Sequence, residues 1–450
     1  MNLTDLIAFS PMALFVSSHN HDENIDVREG PSSENLFKRP ARCLFLVEDY
    51  PITPNASGGG PSVFYSHLEL LAYGGFEITL VLLTFPSSTR GFRAFTKEQP
   101  EIWERVRSWC VSIREIPISV QSRPRAPLRH IWMALRDPAQ YLRPELHESN
   151  LEALRDILRE FKPHILWAEH LLPASLALRS AMGVSVVYSH HDWESRIGHH
   201  RRGAFSGSWR GRFQTWMSKR MDHELVRRAS ACVCVSYTEA EEVRALGVEH
   251  VLYLPTTYEP GNLETHAEAP ARARLVHLGG MRTTANRLGL QRFLDVSWPR
   301  LSAAPGGPPE LWVIGNLDGA PPSLREALER IGAVCPGFVE NLDSVLRPYD
   351  LHLIPWEHNT GTRTRLPLAL KHRQVVVATR ETAACLPELR DGHDCLLVSD
   401  LSEMADVILA LIDNADRRKR LGDTGRTTFL EHYTRPSVQE TLNRFLSALV

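Results

Sequence analysis

Four short segments of this 450-residue chain carry residue types and spacings suited to holding a small anionic ligand. The first is NTGTRTRLPLAL (359–370), in which Arg363 and Arg365 stand two apart beside Gly361, Thr362 and Thr364. Gly361 permits a bend and the threonines can donate hydroxyl hydrogens. Two guanidiniums there can form charge-assisted bonds to a doubly charged anion such as a diphosphate. The second is YSHHDWESR (188–196), which packs two histidines and two acids into the five residues from His190 to Glu194. A histidine at a strand's carboxyl end can donate a hydrogen bond or act as a base, with an acid neighbour to orient it. That marks His190, His191 and Asp192; the plainer reading is a polar loop with Asp192 capping the next helix. The third is GGMRTTANRLG (279–289), where Arg282, Asn286 and Arg287 follow two glycines into a helix start. This is again anion-binding logic, against the alternative of a solvated basic helix face. The fourth is NASGGGPS (55–62), whose Gly58, Gly59 and Gly60 let backbone amides approach a ligand closely, or simply form a flexible turn.

Such loops work together only if one rigid frame brings them to the same place. Short continuous apolar runs at 43–49, 77–85, 164–170, 184–190, 231–236 and 250–255 read as strands buried on both faces. Helical patterns separate them; SVFYSHLELLAY stops at Gly74 and Gly75, and Thr238–Glu239–Ala240–Glu241 reads as a capping-box start. Residues 256–273 lose this periodicity and gain proline and charge, as an interdomain linker does. A second alternating set follows at 274–280, 310–316, 351–356, 374–379 and 394–400, then helical sequence from Leu401 onward. The expectation is an α/β protein of two Rossmann-like, doubly wound parallel domains, 42–255 and 274–430, with a last helix in 431–450. In such sheets ligands bind at strand carboxyl ends, where all four loops would lie.

Composition narrows the function classes. With 43% hydrophobic and 23% charged residues and a net charge of −2, nothing pulls the chain toward nucleic acid. The seven cysteines are dispersed, no two pairs stand at zinc spacing, and no metal is expected; reduced thiols imply a cytoplasmic location. LIAFSPMALFV near the start makes a poor signal peptide, and residues 1–41 read as a flexible extension. Residues 196–228 hold nine Lys or Arg against two acids, interleaved with Phe205, Trp209, Phe213 and Trp216. That stretch could dock weakly on an anionic membrane; the favoured expectation is a solvated helix with its aromatics turned into the core.

Taken in order, the four loops resemble the GT-B glycosyltransferases, specifically the retaining group called family 4. The strongest part is 336–433: PGFVENLDSVLRPYDLHLIPW, TGTRTRLPLALKHRQVVVAT, LPELRDGHDCLLVSD and RRKRLGDTGRTTFLEHYT. SGGGPSVFYSHLELLAYGGFEITLV is similar to the family's first loop and helix, and HDWESR to its central histidine loop. The resemblance implies a cleft with the acceptor mainly on 42–255 and a GDP- or UDP-sugar on 272–430, the last helix crossing back to the first domain. It places Gly58, Gly59 and Gly60 along the donor phosphates, and Arg282 with Arg363 or Arg365 against the departing diphosphate. His191, or His190, would lie near the transferred sugar with Asp192 beside it, and no cofactor beyond the sugar nucleotide is implied. The acceptor, whether glycan, lipid or small natural product, is left open.

Two positions depart from the pattern. The family usually has a glutamate that holds the nucleotide ribose where this chain has Leu368, and an acid further upstream where it has Thr360. Two hypotheses follow: a retaining glycosyltransferase, or a catalytically degenerate relative that binds a sugar nucleotide or a partner. A nicotinamide dehydrogenase would need a GxGxxG turn and a downstream ribose acid, and the sequence has neither.

Overall fold

The computed structural model describes residues 40–54, 59–85, 91–119, 136–143, 145–202, 207–261 and 268–450. Gly58, Phe205 and most of the expected N-terminal extension lie outside them.

The apolar runs form strands because each can be buried on both faces. In β1 (Arg42–Glu48) five consecutive residues are buried, Leu44 and Leu46 facing one core, and Cys43, Phe45 and Val47 the other. It is joined by β2 (Glu77–Thr84), β3 (Cys110–Pro117), β4 (Ile165–Glu169), β5 (Ser185–His190), β6 (Ala231–Cys234) and β7 (Val251–Tyr253). Among the described residues these make a seven-stranded sheet in the order β3-β2-β1-β4-β5-β6-β7, every pair parallel. The second sheet comprises β8 (Leu275–Leu278), β9 (Leu311–Ile314), β10 (Val334–Gly337), β11 (Leu351–Ile354), β12 (Val375–Thr379) and β13 (Cys395–Val398). Its order is β10-β9-β8-β11-β12-β13, again all parallel. Two sheets of this kind, with helices between the strands, are the GT-B arrangement.

Both sheets reverse direction of growth beside their first strand, between β1 and β4 and between β8 and β11. At such a switch point neighbouring connections leave toward opposite faces and open a crevice at the strand ends. Eight helices flank the crevice or support its loops: α1 (Gly59–Tyr73), α2 (Leu171–Ser180), α3 (Glu194–Arg202), α4 (Trp209–Arg228), α5 (Tyr237–Ala245), α6 (Thr284–Val296), α7 (Arg365–Lys371) and α8 (Arg435–Ser447). The last, α8, buries Val438, Leu442 and Leu446 in the core that also holds Leu68 and Leu71 of α1. Gln439 Nε2 donates to the Leu70 carbonyl at 2.9 Å, so the end of the chain is pinned to the first domain.

The sequence reading misses β3 and β10. Each is the outermost strand on the same side of its sheet, and each is only partly buried. CVSIREIP and VCPG therefore lack the unbroken apolar run that marks the interior strands. The capping reading is also corrected. Ser236, not Thr238, caps α5, accepting from the Glu239 amide at 3.5 Å, which puts Glu239 at the third helical position.

Candidate active site

Three strands of the first domain end side by side, and each delivers ionisable groups. Glu48 ends β1, Glu169 ends β4 with His170 next to it, and His190 ends β5 with His191 and Asp192 following. Glu169 is fully buried, and three donors surround it. Its Oε1 accepts from Trp167 Nε1 at 2.6 Å and His67 Nδ1 at 2.8 Å, and its Oε2 accepts from His191 Nε2 at 2.8 Å. Burial alone would push this carboxyl up; the interactions with His67 and His191 outweigh it and hold Glu169 well below the usual carboxylate range. Being ionised it can only accept, so the proton of His191 sits on Nε2. Burial lowers the pKa of His191, only partly offset by Glu169, so the imidazole is neutral near pH 7. Phe64 of α1 covers its ring at 5.4 Å and His170 approaches it edge-on at the same distance.

His170 has φ 73° and ψ −177°, a backbone region that almost only glycine adopts. Its Nδ1 lies 3.8 Å from Glu48 Oε1. Burial opposes the charged ring, but Glu48 and Asp192 outweigh it and raise the pKa of His170. Strain of this type costs about 1–3 kcal/mol and persists where the surroundings over-determine the conformation. Here the surroundings are the ends of β1 and β5.

His190 turns away from its neighbour. It is buried, its ring packs 4.4 Å from Trp193, and its Nδ1 stands 3.3 Å from Glu239 Oε2, out of line for a hydrogen bond. The other oxygen of Glu239 reaches across to the second domain and accepts from the Gly361 amide at 2.9 Å. Tyr237 N donates to the Cys385 carbonyl at 2.9 Å and Thr238 Oγ1 to Asn359 Oδ1 at 3.1 Å, so the start of α5 ties the two domains at the cleft floor. Gly361 takes φ 59°, and a Cβ on it would lie 3.0 Å from the His191 carbonyl and 3.1 Å from Asp192 Cβ. Both the left-handed turn and the close approach require glycine.

The arginines of this loop lie below and beside Gly361. Arg363 folds back on its own turn, Nη2 donating to the Thr360 carbonyl at 2.6 Å and to Thr360 Oγ1 at 2.7 Å, and Nε to Thr382 Oγ1 at 3.2 Å. Arg365 is buried against the end of β8, where Nη1 donates to the Leu278 carbonyl at 2.6 Å and meets His277 Nε2 at 3.3 Å. Its Nη2 is buried and has no partner among the described residues. Burial, with Arg363 adding repulsion, pulls the Arg365 pKa down to about 9. Among the described residues neither guanidinium has a carboxylate within ion-pair distance. The Thr364 carbonyl is held by Tyr258 Oη at 3.1 Å, and Thr362 contributes its carbonyl to Arg363 Nη1 at 3.2 Å.

The other candidates lie on two further loops. Arg282 is exposed and faces Asp318 at 3.6 Å, and Arg287 donates to the Met281 carbonyl at 3.4 Å; no contact joins either to Arg363 or Arg365. Gly59 and Gly60 open α1, and Phe64, one turn on, is the residue that covers His191. Leu368 is half-buried on the wall of a cavity of about 530 Å³ between the domains, with Arg105, Tyr258, Glu340 and Lys371 also around it. Sequence reasoning overlooked His67, Glu169, His170 and Glu239. The last two polar residues of ILWAEH, an otherwise apolar buried strand, were the available signal for Glu169 and His170.

Residues 58–257 match the model of the glycosyl transferase 4-like domain. The N-terminal domain is thus similar to that glycosyltransferase family. No curated protein sequence matches the chain. Solved structures extend the likeness of fold over the whole molecule. Anabaena HepE in complex with UDP and glucose aligns at 13% identity and TM-score 0.62, over 91% of this chain and 100% of that one. Sucrose-phosphate synthase from Thermosynechococcus elongatus gives 13% and 0.65 over 91% and 99%. A mutant of S. aureus TarM, in complex with Fondaparinux, alpha-GlcNAc-glycerol and UDP, gives 11% and 0.62 over 90% and 99%. The matched stretch contains the Glu169–His191 cluster, and the arginine loop lies in the other half of the fold.

Proposed function

We propose that this protein transfers a sugar from a nucleoside diphosphate donor to a hydroxyl acceptor with retention of anomeric configuration. The observation that carries the reading is the pair Arg363 and Arg365, two desolvated guanidiniums that have no carboxylate partner among the described residues, at a strand-end loop beside His191 and Asp192. A buried cation without a counter-ion is costly, and an arriving diphosphate relieves that cost. UDP-sugars are the first donors to try, because HepE and TarM were solved with UDP bound, with GDP-sugars next.

In this reading the bond from the anomeric carbon to the diphosphate breaks while the arginines neutralise the departing charge. The acceptor oxygen bonds to the same face of the sugar, and its proton passes to the leaving phosphate. His191 and Asp192 border the sugar, His191 oriented through Nε2 by Glu169. Gly361 keeps the sugar-side and phosphate-side loops in contact. Leu368 favours a second reading, a non-catalytic binder of sugar nucleotides, because an apolar side chain stands where the resembling family holds the ribose.

Thermal melting with UDP, GDP, ADP, dTDP and NAD tests the binding step. At about one hundred times its dissociation constant a specific ligand adds roughly 2.7 kcal/mol of apparent stability. UDP or GDP should give that shift, and Arg363→Ala combined with Arg365→Ala should abolish it. A shift with NAD alone, or an undiminished UDP or GDP shift in the double variant, would refute the assignment. Release of free sugar from the bound donor then separates the transferase from the binder.

A further inference from the structure

We propose that the outward face of α4 docks on an anionic lipid bilayer. The sequence alone favours turning the aromatic residues of this helix into the core, and the structure does the reverse. Trp209 is 73% exposed, Phe213 37% and Trp216 46%. The inward face is taken by Gly211, Met217, Met221, Asp222, Leu225 and Val226, which leaves 209, 213 and 216 aligned along the opposite side. Phe213 and Trp216 stack on each other with centroids 5.8 Å apart, forming one continuous apolar ridge.

Cations surround this ridge. Arg210 lies 5.3 Å from the Trp209 ring and Arg220 5.9 Å from that of Trp216, with Arg212, Lys219, Arg227 and Arg228 on the same helix. Two acids oppose the six: Asp222 faces inward, and Glu224 pairs with Arg228 at 3.1 Å. The whole chain carries −2, so this positive face is local and not a general property of the surface. Rings at headgroup depth with cations at the phosphates describe an interfacial helix, and each cation near an anionic membrane multiplies partitioning about fivefold. A nucleic-acid duplex would meet the cations but offers no apolar layer for three exposed rings.

Docking here would also set the height of the cleft above the membrane. Asp222 of α4 accepts from the Ser195 amide at 3.0 Å, and Trp193 is wedged between His190 at 4.4 Å and His223 of α4 at 5.7 Å. The helix that would touch lipid therefore holds the His190–Asp192 loop. The inference does not depend on the proposed reaction.

The test is co-sedimentation of the full chain with vesicles of phosphatidylcholine alone and with about one third phosphatidylglycerol, at low and high salt. Wild type should pellet with the anionic vesicles, less so at high salt, and remain in solution with the neutral ones. The variant Trp209→Ala/Phe213→Ala/Trp216→Ala, and separately Arg210→Glu/Arg212→Glu, should each lose at least about tenfold in partitioning. Unchanged melting temperature and nucleotide shift would show that both variants are folded. Equal pelleting of the aromatic variant and wild type would overturn the proposal. So would no pelleting of wild type with either vesicle, binding of a DNA duplex without binding of vesicles, or a wild-type dimer that the aromatic variant loses while neither binds lipid.

Discussion

The strand-end clusters that face each other across the cleft handle charge in opposite ways. In the first domain Glu169 is fully buried yet has three donors, from Trp167, His67 and His191, within 2.8 Å. In the second, among the described residues, Arg363 and Arg365 are bonded only to neutral oxygens and a lowered-pKa histidine, and one Arg365 nitrogen has no partner. A buried charge that is fully paired is settled before any ligand arrives, and it stiffens the side chains that pair it. A desolvated charge without a counter-ion gains its partner only from outside. In the proposed reading the histidine side is thus an organised surface and the arginine side the donor-binding site, and Gly361 is where the two touch.

This contrast can be broken first at Glu169. Glu169→Ala leaves His67, His191 and Trp167 donors buried together, and should cost about 3–5 kcal/mol in urea unfolding at pH 7. The folded-state pKa is depressed, so this stabilisation is present above the unfolded value near 4 and is lost as pH falls below it. A cost below about 1 kcal/mol would mean that the cluster is no more settled than the arginines.

Asp222 sharpens the comparison within the first domain, because its pairing is poor. Burial raises its pKa to about 7, against the Ser195 amide and hydroxyl, which lower it. The folded protein then binds more protons than the unfolded chain between about pH 4 and 7, so this group's contribution falls as pH rises through that window. Asp222→Asn keeps an acceptor for the Ser195 amide and removes the titration. Stability compared at pH 4 and 8 should lose a pH-dependent component on the order of 2–4 kcal/mol. An unaltered difference would show that Asp222 is ionised throughout.

The smallest effect is expected on the arginine side of the cleft. Leu368→Glu places a carboxylate on the wall of the interdomain cavity, where a ribose hydroxyl could donate to it. A charge-assisted hydrogen bond of about 1.5–3 kcal/mol would tighten UDP or GDP roughly ten- to a hundredfold in calorimetry. No change, or weaker binding, would place the ribose away from this wall.

Much of this architecture is readable from residues 43–49, 164–170, 351–356 and 374–379, because a strand buried on both faces must be a continuous apolar run. Edge strands escape that rule, which is why CVSIREIP and VCPG do not stand out in the sequence. The glycine and arginines of the 359–370 loop are legible because special backbone freedom and uncompensated charge have few other uses. His67 and Glu169 are not, since 102 residues separate them and neither belongs to a local motif. Glu239 is legible as part of a capping pattern, but its carboxylate goes to Gly361 in the other domain.

What the chain determined by itself is what depends on near neighbours: apolar runs, turn glycines, the alternation that builds two parallel sheets, and the positions of the strand-end loops. Only the tertiary structure decided which ionised groups found partners and which faces stayed wet. Pairing Glu169 with His67, and leaving Arg365 without an acid, depends on switch points that bring distant strand ends together. The rotation of α4 likewise followed from which of its sides could fit the first domain's core. Gly211, Met217 and Met221 fitted against it, and Trp209, Phe213 and Trp216 were left outside.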